Sequence, residues 1–237
     1  MTQEVEKPSI YLGFPVYNRM VDMEIMSKVF HIASLGKYKL MMELICSPYI
    51  DSARNLMVEN FLKSDFEWLY FWDTDVVIQD TDFLDKLMET AIKFNAPVAS
   101  ATYVKKNELG EYVTLKLDGN EMPNYKLGEL TEPQLITCTG AGALLIHRSV
   151  LEEMKSPYFE INPKPGGREM PEDYYFCLKV RELGYNIALD TRIETHHYGP
   201  AAWVHKYTPA NLDKEKPIKE KKNSKFKKEK LRKIEMI

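Results

Sequence analysis

The chain has 237 residues, of which 44% are hydrophobic and 28% charged, with a formal net charge of −3. This is the composition of a soluble globular protein with one well-buried core, and it excludes chain-wide disorder. No apolar run reaches the ~18 residues of a spanning helix, and residues 1–9 lack a signal-type apolar stretch, so a cytoplasmic protein, peripheral to a membrane at most, is expected.

Hydrophobic periodicity predicts alternating strands and helices. Residues 9–14 read as a strand and 20–35 as a helix; 39–46 follow as a strand and 52–63 as a helix. The run Trp68-Leu69-Tyr70-Phe71-Trp72 reads as a buried strand, and it ends on two carboxylates, Asp73 and Asp75. Asp80 and Asp82 are expected to cap a helix over 83–94, whose Phe83, Leu84, Leu87, Met88, Ala91 and Ile92 share one side. Residues 97–102 return as a strand. After Val104 the rhythm breaks, and Gly110, Gly119 and Gly128 between short alternating runs such as 112–117 suggest hairpins. Residues 140–155 read as a small-residue strand followed by a helix that Ser149 caps. A Gly- and Pro-rich loop, 162–171, leads to a helix over 172–183 that Gly184 terminates. Repeated βα units of this kind predict an α/β fold with a mostly parallel, nucleotide-binding type of sheet flanked by helices.

Cys46, Cys138 and Cys177 have no CxxC spacing and leave an odd count, which argues for reduced, buried thiols and against a disulfide framework or a structural zinc site. Charge is divided unevenly. Residues 213–237 hold 11 Lys and Arg against 5 Asp and Glu, a net of +6, which leaves 21 against 30, or −9, for residues 1–212. A folded domain over 1–212 and a separate basic tail are therefore expected. In the tail Phe226, Leu231, Ile234 and Ile237 share one arc of a helical wheel. That pattern suits an amphipathic helix on an anionic membrane or against nucleic acid, and a solvated, partly disordered terminus suits the same composition.

The chemistry-bearing residues stand at the ends of these elements. Paired carboxylates at a strand tip are hard oxygen ligands for Mg²⁺ or Mn²⁺, and an ion held there can grip a diphosphate; alone, Asp73-Thr74-Asp75 reads equally well as a solvated turn. Glu172 and Asp173 open a helix, where the dipole alone favours negative charge. Taken singly, residues 15–18 are a turn, Arg54 a surface residue, and His197 a core-edge histidine with His196 as its rival.

In combination these segments carry a resemblance over roughly residues 9–199. They are Phe14-Pro15-Val16-Tyr17-Asn18, Asp51-Ser52-Ala53-Arg54-Asn55, Asp73-Thr74-Asp75, Thr139-Gly140-Ala141-Gly142, Pro171-Glu172-Asp173 and His197-Tyr198-Gly199. In that order and spacing the chain resembles a GT-A glycosyltransferase, most like the inverting family 2 enzymes. The resemblance implies metal-dependent transfer of a single sugar from a nucleoside-diphosphate donor, UDP-linked by family habit, to a hydroxyl acceptor with inversion. The acceptor classes it admits are a glycan, a lipid, a protein or a modified base in DNA. Mn²⁺ or Mg²⁺ would be held by Asp73, Asp75 and His197, with Asp75 the direct ligand and Asp73 reaching ribose or metal-bound water. Asp173 takes the position of the general base. Pro15, Tyr17, Asn18, Arg54 and Asn55 would line the nucleotide, with Tyr17 able to stack a base and Arg54 able to donate to a carbonyl or phosphate. Gly140, Ala141, Gly142, Glu172 and Trp203 would border sugar or acceptor, although small residues at 140–142 also serve packing. The loop 164–168 just before Asp173 would suit a lid.

Two other classes compete. Asp73-Thr74-Asp75-Val76-Val77 after an apolar strand also matches the nucleophile motif of haloacid-dehalogenase-like phosphatases, with Asp73 as nucleophile; the chain lacks the Gly-Asp dipeptide those enzymes use downstream. A non-catalytic binding module of the same fold is the other, against which the retention of both acidic motifs counts.

Overall fold

The computed structural model describes residues 7–17, 19–107, 109–116, 122–163, 169–199 and 202–207. In it the apolar pentapeptide becomes β3 (Trp68–Trp72), all five residues buried. Because side chains alternate across a strand, Tyr70 and Trp72 face one layer and Leu69 and Phe71 the other. Phe83, the first residue of α3 (Phe83–Lys93), meets Tyr70 and Trp72 at ring separations of 5.4 and 5.1 Å. On the other side Phe71 meets Phe159 edge-on at 5.3 Å, and Phe159 stacks on Phe176 of α5 (Glu172–Glu182) at 4.5 Å. Helices therefore cover both faces, as the doubly apolar run requires.

Around β3 the sheet is completed by β1 (Ser9–Val16), β2 (Lys39–Cys46), β5 (Val98–Ala101), β8 (Gln134–Ile136), β9 (Ala143–His147) and β12 (Ile187–Asp190), in the order β2-β1-β3-β9-β5-β12-β8. Five of its seven strands run one way; β9 opposes β3 and β5, and β8 opposes β12. The mostly parallel α/β sheet expected from periodicity is present, with a reversed strand at its middle that periodicity does not reveal. Parallel neighbours need a crossover, usually helical. Between β5 and β9 the described elements are instead short strands, with β6 (Glu111–Leu115) and β7 (Asn124–Lys126) forming the expected antiparallel hairpin.

A second sheet joins β4 (Val76–Ile78), β13 (Thr195–Tyr198) and β14 (Ala202–His205), both pairings antiparallel. A two-residue pair, β10 (Asn162–Pro163) with β11 (Glu169–Met170), flanks the segment before α5. The remaining helices are α1 (Met23–Ser34), α2 (Ile50–Lys63) and α4 (Arg148–Glu153).

Several boundaries move for local reasons. Asp22 starts α1 by accepting the Glu24 N–H at 2.7 Å, three residues later than periodicity places it. α2 begins at Ile50 rather than Ser52. The cap of α4 is His147, whose Nδ1 accepts the Ser149 N–H at 3.2 Å; Ser149 is already inside the helix. Asp82 precedes α3 without a side-chain cap bond, since Asp80 and Asp82 both pair with Lys86, at 2.8 and 3.0 Å. Gly184 ends α5 as expected, at φ 82°, where a side chain would be strained. All three cysteines are free, but Cys46 at the sheet edge is exposed, contrary to the expectation of three buried thiols. Among the described residues no helix is long and apolar enough to cross a membrane. The boundary at 212 and the tail with Phe226, Leu231, Ile234 and Ile237 lie outside the described residues.

The last turn of α2 is closed by a side chain from α4. Arg148 donates from Nη2 to the carbonyls of Phe61 at 2.9 Å and Ser64 at 2.7 Å, and from Nε to Phe66 at 2.7 Å. Phe61 and Ser64 lie at the helix end, where carbonyls lack i+4 partners, and Phe66 lies in the turn beyond it. Arg148→Ala is expected to lower unfolding free energy by about 2–4 kcal/mol, because several charge-assisted bonds disappear at once. Arg148→Lys should recover little of it, because an ammonium cannot reproduce the fork. Urea unfolding of the three proteins measures this.

Candidate functional site

The turn after β3 is fixed by its backbone before any side chain acts. The Asp73 N–H donates to the Gly142 carbonyl at 3.0 Å, the Val76 N–H to the Asp73 carbonyl at 3.1 Å, and the Trp72 indole to the Val76 carbonyl at 2.7 Å. Asp75 is tied on its other side, its carbonyl accepting the Tyr198 N–H at 2.8 Å. That bond belongs to the second sheet, in which His197 lies opposite Val76. Strand register therefore delivers the imidazole beside Asp75, with Nε2 3.8 Å from Asp75 Oδ2. Nδ1 donates to the Val104 carbonyl at 2.7 Å, which leaves Nε2 as the lone-pair nitrogen facing the carboxylate. Burial pulls the His197 pKa down, and the Lys106 ammonium adds to this; the neutral ring is the form that binds metal.

Asp73 behaves differently. Its two oxygens both accept from Arg54 Nη2, at 2.8 and 3.1 Å. Arg54 is only 2% exposed, donates from Nη1 to Glu172, and lies alongside the rings of Phe71 and Phe159, with Cζ 5.9 and 5.8 Å from their centroids. Burial opposes its charge, and the carboxylates of Asp73, Glu172 and Asp173 more than offset that, so its pKa rises. An arginine so enclosed reaches no nucleotide directly; what it does is join α2, the tip of β3 and the start of α5.

Asp173, beside Glu172 in the first turn of α5, is half-buried and accepts its neighbour's Tyr174 N–H at 2.7 Å. Burial pushes its carboxyl up to about 7, helped by the Glu172 charge and opposed by Arg54. A carboxyl at that value exchanges a proton near neutrality, as a general base must.

Tyr103, just past β5, belongs to no motif, yet it links the parts. It is 5% exposed, its hydroxyl accepts the Gly142 N–H at 2.9 Å, and its ring meets His197 edge-on at 4.9 Å. Burial pushes its phenol pKa far up, with Asp73 and Asp173 adding to the effect. It also accounts for the glycines. A Cβ on Gly142 would stand 2.7 Å from the Tyr103 hydroxyl and 2.9 Å from Asp73 Oδ2, and one on Gly140 would strike the same hydroxyl. Gly140, Ala141 and Gly142 are all buried, so in this arrangement the room beside both glycines is taken by a protein side chain rather than by a sugar.

The other residues that the sequence motifs nominate scatter. Asn55 has all its hydrogen-bonding capacity engaged: Nδ2 donates to the Asp51 and Phe159 carbonyls, and Oδ1 accepts the N–H groups of Tyr158 and Phe159. It clamps 158–159 onto α2. Pro15 is buried within β1, whereas Tyr17 just beyond it is 67% exposed, an aromatic face open to stacking. Asn18 and the loop 164–168 lie outside the described residues. The Trp203 backbone pairs with His197, and its side chain is not among those described. His196 pairs with Glu194 at 3.0 Å and is not beside Asp75 in the way His197 is.

Among the described residues no three His, Cys, Asp or Glu side chains gather closely enough to hold a metal ion by themselves. Asp75 and His197 fit one in part, a carboxylate oxygen and a tautomerically fixed nitrogen on converging strands, while Asp73 is engaged by Arg54. Such a partial set suits an ion of the Mg²⁺ type, which commonly takes one or two carboxylates and completes its shell with water and substrate phosphate.

No protein-family model and no curated protein matches the chain. The crystal structure of A197 from STIV does match in three dimensions, with a TM-score of 0.60 over 88% of this chain and all of that one, at 17% identity. At that identity the likeness establishes the fold alone.

The raised Asp173 carboxyl has a consequence for stability. Between its ordinary value of 3.8 and about 7 the folded chain holds a proton that the unfolded chain has released, so this group's contribution is greatest at low pH and is lost as pH rises through about 7. Asp173→Asn is expected to melt above the native protein at pH 8 and to lose that margin by pH 4. Thermal melts across the range read the difference; a variant less stable at pH 8 would contradict the raised value.

Proposed function

We propose that the chain is a GT-A type glycosyltransferase that moves one sugar from a nucleoside-diphosphate donor, UDP-linked by family resemblance, to a hydroxyl acceptor with inversion. One observation carries this reading: the metal-type pair Asp75 and His197 stands at the tip of β3, and the Asp73 carboxylate between that pair's turn and α5 is felt both by His197 and by Asp173, whose carboxyl burial pushes up to about 7. The glycosyltransferase resemblance of the sequence and the α/β fold support it.

On this reading Asp75 and His197 would hold Mn²⁺ or Mg²⁺, which when bound supplies Lewis-acid stabilisation of the departing diphosphate. Tyr17 offers its exposed face to the nucleotide base. Arg54 holds Asp73 and Glu172 in place, and Asp173, which pairs with no cation among the described residues, takes the proton of the attacking hydroxyl as that oxygen approaches the anomeric carbon. The competing phosphatase asks Asp73 to attack phosphorus, and Arg54 already engages both of its oxygens, which disfavours that use.

Two measurements test this. UDP at ~100 times its dissociation constant with Mn²⁺ adds about 2.7 kcal/mol to stability; Asp75→Ala should lose the Mn²⁺-dependent part, and equal stabilisation by UDP in EDTA and in Mn²⁺ would sink the metal role. Asp173→Asn should keep donor binding and lose about 10²-fold or more of transfer. Near-native transfer by that variant would place the base elsewhere.

A further inference from the structure

Directly after Tyr103 and Val104 the chain turns so that two lysines diverge. Lys105 donates to Asn124 Oδ1 at 2.7 Å and lies 3.8 Å from Glu111 Oε2, while its backbone N–H donates to the Glu111 carbonyl at 2.8 Å. The Asn107 N–H closes the turn on the Lys105 carbonyl at 2.8 Å. Lys106 is thereby aimed the other way, and its ammonium donates to Asp75 Oδ2. This is the same oxygen that His197 Nε2 faces. A cation bridging Asp75 and His197 and the Lys106 ammonium would compete for one carboxylate oxygen. The Lys106 side chain is 30% exposed and that of Asp75 46%, so the pair is partly withdrawn from water.

We propose that Lys106 is the resident counter-ion of Asp75: it holds that carboxylate in the absence of a divalent ion, yields it when the ion binds, and then pairs with the diphosphate of the donor. The proposal rests on the glycosyl-transfer reading above. Arg54 cannot serve the diphosphate because its Nη atoms are spent on Asp73 and Glu172, whereas an ammonium on a four-carbon stem can leave one oxygen for another without moving the backbone. Held near Asp75 beforehand, the ammonium also keeps the carboxylate from facing its acidic neighbours unscreened.

The test uses the full chain and two probes, Mn²⁺ alone followed by electron paramagnetic resonance, and UDP at saturating Mn²⁺ followed by calorimetry. Lys106→Met is expected to bind Mn²⁺ about 2- to 5-fold more tightly, the range of a partly exposed ion pair removed as competitor. It is expected to bind UDP about tenfold more weakly, since the diphosphate then lacks one charge-assisted hydrogen bond. Lys106→Gln should act in the same directions, and matching melts establish that both variants fold. Lys105→Met removes the same charge one residue away and should change neither affinity. The proposal is overturned if Lys106→Met binds Mn²⁺ no more tightly than the native chain, or if Lys105→Met reproduces its effects. Should Mn²⁺ bind in an Asp75-dependent way while Lys106→Met is silent, only the Lys106 role fails; if neither protein binds Mn²⁺ with or without UDP, the metal role in glycosyl transfer fails with it.

Discussion

A guanidinium as deeply enclosed as that of Arg54 survives only where its charge and its N–H groups are met, because the isolated ion would cost several kcal/mol to bury. Asp73 and Glu172 meet them, from the tip of β3 and the first turn of α5. The rings of Phe71 and Phe159 lie beside the guanidinium and add apolar surface and a cation–π attraction. The arrangement is not free of expense, since Nε is buried without a partner among the described residues. Without the guanidinium, two carboxylates would be left close together in an apolar recess, so the position of α5 against β3, and with it the place of Asp173, depends on this one side chain.

The same ion cluster separates the roles of two adjacent carboxylates. Glu172 is claimed by Arg54, and Asp173, one residue on, has no cation of its own among the described residues and feels the charge of Glu172. Neighbours in sequence are thus driven to different electrostatic environments, which is how a site obtains one fixed anion and one exchangeable proton from the same residue class. Tyr103 adds rigidity from the other side, filling the space that Gly140 and Gly142 leave open and holding the backbone that in turn accepts from Asp73.

How much of this the sequence discloses follows from the range of each interaction. Strand and helix placement, the acidic tip of β3 and the Gly184 stop depend on residues a few positions apart, and are legible. The reversed β9 and the β4–β13–β14 sheet depend on pairing between distant segments, which periodicity does not encode. Arg54 lies between these cases. It occupies the helical arc of Met57, Val58 and Phe61, at spacings of three, four and seven, and an arginine on an apolar arc is a sign of burial that a motif-based reading of Arg54 as a nucleotide contact passes over. The motif treats Asn55 next to it in the same way, though its bonds all go to backbone. Tyr103 and Lys106 belong to no motif. They follow the carboxyl end of β5, and that position, where α/β sheets gather their chemistry, is the signal that points to them.

Charge arithmetic then constrains how a donor could be received. Among the described residues, Asp73, Asp75, Glu172 and Asp173 face only Arg54 and Lys106 as cations, and Arg54 is consumed inside the protein. Burial and the Lys106 ammonium both work against a charge on His197. A diphosphate approaching this end of β3 meets a surface already negative, so on the glycosyl-transfer proposal it must arrive with added positive charge, a divalent ion at Asp75, or displace Lys106 toward itself. Both routes converge on the same oxygen, Asp75 Oδ2. On that proposal the carboxylate more open to solvent than Asp73 or Glu172 is the one where the occupancy of the site is decided, while the more enclosed Asp73 serves the architecture that keeps it there.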